Sequence, residues 1–117
     1  MLRKLTQEQL RELLEKFCAK ALAIPQLKIR QIILFGSYAR GEADDESDVD
    51  IMILTDAARE EIPGLRGYLV RLSVELGWEY DPLVSPTMQN YDFFSEWSEA
   101  LPFYRNVSHE GVKLYAA

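Results

Sequence analysis

Residues 29–56 read IRQIILFGSYARGEADDESDVDIMILTD, and their pattern decides how the rest of the chain must fold. Ile29–Phe35 is an apolar run of strand length, Gly36-Ser37 a tight turn, and Val49–Leu54 a second apolar strand. Two carboxylates, Asp48 and Asp50, stand where the second strand begins. Side chains alternate along a strand, so residues two apart share a face, about 7 Å apart. Asp48 and Asp50 therefore point together, opposite the apolar Val49 and Ile51. Carboxylates held side by side repel unless a cation or proton sits between them. The Gly36-Ser37 turn leads into a short helical turn at Ser37–Arg40, and N–H groups at such a start bind anions. An anion cradle facing a cation-seeking pair points to a metal–nucleotide site.

Both strands are apolar on both faces at their centres, which calls for helices against the sheet. Upstream, Thr6-Gln7-Glu8-Gln9 forms a capping box, and Leu10, Leu13, Leu14, Phe17, Cys18, Ala21 and Leu22 recur at helical spacing until Pro25. Cys18 sits on that stripe as a small core residue. Downstream, a helix runs through Leu76 with Leu65, Leu69, Leu72 and Leu76 facing inward, Pro63 in its first turn and Gly77 as its cap. The composition then predicts a third strand over Trp78–Val84 and a helix start at Ser85-Pro86-Thr87. Pro102 divides the aromatic last third into two helices, the second ending at Gly111, with Val112–Tyr115 as a small edge strand. Tyr91, Phe94, Trp97 and Tyr104 are either core or an exposed patch for a partner. His109 reads as structural, and no His-Cys grouping suggests zinc.

Gly36-Ser37, ten residues, then Asp48-Val49-Asp50 resembles the Gly-Ser-x10-Asp-x-Asp signature of the polymerase-β-like nucleotidyltransferases. LFGSYARGEA and SDVDIMIL resemble its small stand-alone branch, the minimal nucleotidyltransferases, and FYRNVSHEGVKLY is similar to that branch's closing segment. The resemblance implies an α/β (α+β) palm: a small mixed sheet of three to four strands flanked by helices, in one domain over residues 1–117. It implies transfer of a nucleoside monophosphate, AMP from ATP, with two Mg²⁺ ions held by Asp48 and Asp50. Gly36 would let backbone approach the triphosphate and Ser37 would hold a terminal phosphate oxygen. Arg40 could face the phosphates or stay a solvent-exposed charge. The family uses a third carboxylate on the adjacent strand, as metal ligand and base. Asp81 and Glu79 both lie in the segment read as strand three, and Asp81 is nearer its centre, although Pro82 after it is unusual for a central strand. The acceptor implied is a tyrosine hydroxyl of a helical HEPN-domain toxin, which makes this chain an antitoxin. Two other readings stay open: a binding module that neutralises its partner by occlusion, and transfer to a small aminoglycoside-type molecule.

Composition narrows the field. At 117 residues the chain makes one domain. A net charge of −6 argues against a broad nucleic-acid surface. Glu42, Asp44, Asp45 and Glu46 read as a solvated loop. No apolar run is long enough to span a bilayer, and the N-terminus lacks the apolar stretch of a signal peptide. One cysteine allows no intrachain disulfide, in keeping with a cytoplasmic protein. Self-association is neither required nor excluded by these features.

Overall fold

Thr6 opens the first helix, α1 (Gln7–Leu22), through the expected capping box: Gln9 N–H donates to Thr6 Oγ1 (3.1 Å) and Thr6 N–H to Gln9 Oε1 (3.0 Å). This computed structural model describes residues 3–117. After α1 come β1 (Ile29–Phe35), a one-turn helix α2 (Ser37–Arg40), β2 (Val49–Thr55), α3 (Ile62–Gly77), β3 (Val84–Asn90), α4 (Tyr91–Trp97), α5 (Pro102–Glu110) and β4 (Val112–Ala116). The four strands form one sheet in the order β3-β2-β1-β4. β1 runs antiparallel to both β2 and β4, whereas β3 runs parallel to β2 through the α3 crossover. The architecture is the mixed, helix-flanked α/β sheet expected.

Period-two alternation along β2 assigns its two faces. Val49, Ile51 and Ile53, all fully buried, join Leu13 and Phe17 of α1 and Leu69, Leu72 and Leu76 of α3 in the larger core. Each such side chain stabilises the fold by about 1.5–3 kcal/mol. Met52 and Leu54 face the other way, against Phe94 of α4 and Tyr104 and Val107 of α5. Asp50 shares a face with Met52, so it lies on the α4–α5 side, beyond the end of that smaller core. Of the four aromatics considered for an exposed patch, Phe94 and Tyr104 are buried, Tyr91 is half-buried and Trp97 is exposed.

Thr55 is the buried polar residue of the core: its Oγ1 donates to Leu27 C=O (2.6 Å) and accepts from Ala57 N–H (2.9 Å). Gly111 joins α5 to β4 where no side chain fits, since a Cβ there would meet Val107 O at 2.4 Å and Ile33 Cγ2 at 2.5 Å.

Three expectations are corrected. The third strand is Val84–Asn90 and not Trp78–Val84. Trp78 is 85% exposed, and the connection after it is tied to α1 by Tyr80 Oη donating to Glu12 (2.7 Å) and by the Lys16–Glu79 ion pair. Ser85-Pro86-Thr87 opens no helix but lies within β3, at the edge of the sheet. Val49 N–H bonds Leu83 C=O (2.8 Å), and alternate residues of a parallel strand bond the same neighbour. Pro86 therefore faces the open edge, where its missing N–H breaks no ladder bond. The helix start falls at Asn90, whose side chain accepts from Phe93 N–H (2.9 Å). Finally, Gly77 is the last residue of α3; Trp78 caps it in ordinary helical geometry (φ −73°), without a left-handed glycine.

Candidate active site

β1 and β2 bring the two halves of the signature together. Phe35 and Asp50 are register partners across the antiparallel pair, so Gly36 leaves β1 directly beside the Asp50 side chain. Gly36 has φ +77° and ψ −158°, a conformation that glycine alone adopts readily. A Cβ at that position would lie 2.3 Å from Asp50 Oδ2. The bare Gly36 backbone is what gives the carboxylate its place.

The turn is anchored from behind. Tyr38, buried beneath α2, accepts Leu5 N–H at its Oη (3.1 Å), and Gly36 C=O accepts from Ala39 N–H (3.1 Å). Gly41 closes α2 in the left-handed region (φ +73°). The acidic loop that follows is folded on itself as a solvated turn: Asp44 Oδ1 accepts from Glu46 N–H (2.9 Å) and Ser47 Oγ (3.1 Å), and Asp45 Oδ1 from Lys4 N–H (2.9 Å). Asp44 and Asp45 are thus engaged in loop structure.

Asp48 is exposed and Asp50 half-buried. Burial pushes the Asp50 carboxyl above its ordinary pKa, the Asp48 charge pushes it further the same way, and Arg40 opposes both. The guanidinium of Arg40 bonds Glu42 (3.1 Å) and reaches Glu110 of α5 (3.5 Å). Arg40 is therefore an exposed, paired cation close enough to Asp50 to favour its ionised form. Ser37, half-buried, starts α2 next to this carboxylate.

Asp81 is not gathered with the others. It lies in the exposed connection before β3 and lines a small cleft with Lys4, Gln9 and Tyr80. Glu79 is held by Lys16. Among the described residues no three His, Cys, Asp or Glu side chains cluster to hold a metal ion. The position on β3 opposite Asp50 belongs to Ser85. Sequence reading missed Ser85 because it misplaced the strand. It also missed Phe103 of α5, whose ring meets that of Phe35 edge-on at 5.5 Å beside the site. No local pattern could have found Phe103, since only α5 packing brings it there.

Asp48 and Asp50 offer two hard oxygen donors on an open strand end, their repulsion uncompensated except by Arg40. This donor set fits Mg²⁺, which takes few protein carboxylates and fills its shell with water and phosphate oxygens. The site is an open surface. A cleft of about 510 Å³ between α3 and β3, lined by Leu69, Val70, Val74, Leu83 and Met88 among others, includes Ser85 but not Asp48, Asp50, Gly36, Ser37 or Arg40.

Residues 10–104 match the nucleotidyltransferase domain family. Over 91 residues the chain is 36% identical to MJ0604 of Methanocaldococcus jannaschii, which carries the name of a protein adenylyltransferase, spanning 75% of this chain and 80% of that one. Over 41 residues it is 49% identical to the protein adenylyltransferase MntA of Thermococcus cleftensis, covering 35% of this chain and 37% of that one. Its fold is similar to a crystal structure of a toxin–antitoxin with AMP-PNP (TM-score 0.52, 21% identity, 97% of this chain and 75% of that chain covered). A glycine turn against the Asp50 carboxylate and a match over most of its length agree: the chain belongs to the nucleotidyltransferase domain family.

Proposed function

We propose that this nucleotidyltransferase moves AMP from ATP to a hydroxyl of a protein partner, a tyrosine of a HEPN-type toxin, releasing pyrophosphate and the hydroxyl proton, and so acts as an antitoxin. The observation that carries this reading is the approach of Gly36 to Asp50, which sets the Gly36-Ser37 turn against a strand carboxylate. The names of its relatives, protein adenylyltransferases, and the toxin–antitoxin whose fold it shares support the acceptor class. Asp48 and Asp50 would hold the two Mg²⁺ ions, which supply charge neutralisation for in-line displacement at phosphorus. Gly36 admits the phosphates to the backbone, and Ser37 offers its hydroxyl and N–H to a terminal oxygen. Arg40 favours the ionised form of Asp50 against the larger opposite push of burial and of Asp48. The exposed Asp48 leaves the acceptor to bring its own surface. No helix among the described residues is long and apolar enough to cross a membrane, and with the unpaired Cys18 this fits work in the cytoplasm.

A second reading has one observation in its favour. Ser85, and no carboxylate, stands opposite Asp50, while Asp81 lies off the strand. A binding module that neutralises its partner by occlusion would need no third carboxylate. Labelling a HEPN-domain partner with ATP carrying ³²P at the α-phosphate separates the two. Transfer that Asp50→Asn abolishes supports the enzyme; neutralisation that survives Asp50→Asn without label supports occlusion. Asp81→Asn tests the third carboxylate, and unchanged transfer would remove Asp81 from the site.

A further inference from the structure

The face of the sheet that carries Asp50 also carries an aromatic pair at the edge of the smaller core, Phe35 packed against that core and Phe103 half outside it. Phe35 sits directly across from Asp50 in register, and opposite residues of an antiparallel pair project side by side. The Phe103 ring meets Phe35 at 5.5 Å with planes at 73°, yet Phe103 is 49% exposed. Its neighbour Tyr104 is buried in the smaller core, so α5 turns that ring inward and leaves the ring before it half-exposed against Phe35, the register partner of Asp50. Exposing half of a phenyl ring forfeits hydrophobic stabilisation unless a ligand covers it.

We infer that Phe103, braced by Phe35, is the stacking shelf for the nucleobase, and so the residue that makes this site bind nucleotides and not bare polyphosphate. This rests on the metal–nucleotide reading of Asp48 and Asp50. Three features favour a base over a segment of the acceptor. Phe35 immediately precedes Gly36-Ser37, so the aromatic wall and the phosphate turn are consecutive residues at one strand end. The wall stands on the β1 side of Asp50, with that turn, whereas the β3 side offers the polar Ser85. A nucleotide carries both a flat aromatic ring and phosphate anions, and its ring stacks on phenyl groups whatever its base.

The test is calorimetric titration, in Mg²⁺, of ATP and of inorganic tripolyphosphate into the wild type, Phe103→Ala, Phe103→Leu and Phe103→Trp. Base stacking of this kind predicts that Phe103→Ala weakens ATP roughly 5- to 150-fold and leaves tripolyphosphate unaltered. Phe103→Trp should hold ATP at least as well as wild type, whereas Phe103→Leu, apolar but not flat, should not rescue it. Unchanged ATP affinity in Phe103→Ala would overturn the inference, including where label transfer to a protein acceptor falls, since Phe103 would then serve the acceptor. Equal weakening of both ligands would also overturn it, marking the ring as structural. Wild type that binds tripolyphosphate but no tighter ATP removes the shelf and leaves the Asp48–Asp50 site standing. Wild type that binds neither removes both.

Discussion

Gly36 and Asp50 occupy one space: the Asp50 carboxylate oxygen lies 2.3 Å from where a Cβ on Gly36 would be. Two residues fourteen apart in sequence are thereby coupled, because a glycine must follow β1 for the second residue of β2 to be a carboxylate on that face. Gly36→Ala would have to displace Asp50 and adopt φ +77° as well. The expected result is a loss of about 1–3 kcal/mol in stability together with loss of metal-dependent ATP binding. Gly41→Ala is the matched control, since φ there is +73° but no atom lies within 4 Å of the added methyl. It should cost about 1–2 kcal/mol of strain and retain binding. Melting curves and titrations of the pair would contradict the account if both lost binding alike.

Without a cation, burial first and the Asp48 charge second disfavour the ionised Asp50 carboxyl. Folding raises the proton affinity of Asp50, so the folded chain binds more protons than the unfolded chain as this carboxyl titrates. Stability from this group is therefore greatest at acid pH and falls as pH rises through the titration of Asp50. With chelator at neutral pH, Asp50→Asn should melt above the wild type, and the gap should close below the ordinary carboxylate range. An Asp50→Asn protein that melts lower at neutral pH would show that the pair is not strained.

Thr55 ties the far end of β2 to the turn before β1. Thr55→Val keeps the shape but strips the partner from Leu27 C=O and Ala57 N–H, both bonded to Thr55 Oγ1 in the native chain. A loss of about 1–3 kcal/mol in denaturant unfolding is expected. A change below ~0.5 kcal/mol would mean that water replaces the hydroxyl.

Cys18 lies half-buried on the inward stripe of α1, and burial pushes its thiol above the ordinary range. Little thiolate is present at neutral pH, so a thiol reagent should modify it far more slowly in the native chain than in denaturant. Native labelling as fast as denatured would show that α1 does not pack as described.

How much of this was legible beforehand depended on how local each cause is. The capping box at Thr6 and the apolar strands around Gly36 are set by neighbours in sequence, and the fold and the place of Asp50 opposite Phe35 could be read from them, whereas Asp48 lies just before β2, outside its alternation. β3 was misread because its cause is distant. Trp78 and Tyr80 have strand-forming side chains, but one is left in solvent and the other is bonded to Glu12 of α1. Ser85-Pro86-Thr87 has the local chemistry of a helix start, and pairing with β2 overrides it. The misplacement carried Asp81 onto a strand it does not occupy and hid Ser85. Phe103 was invisible for the same reason, since its place beside Phe35 exists only once α5 has packed.

The central claim is that Asp48 and Asp50 hold the metal for a nucleotide cradled at Gly36-Ser37. Titrating ATP into the purified chain with Mg²⁺, with EDTA, and into Asp48→Asn/Asp50→Asn tests it most directly. The account predicts binding that requires Mg²⁺ and is absent from the double variant, which should remain folded. ATP binding of equal strength in EDTA or in the double variant would contradict it.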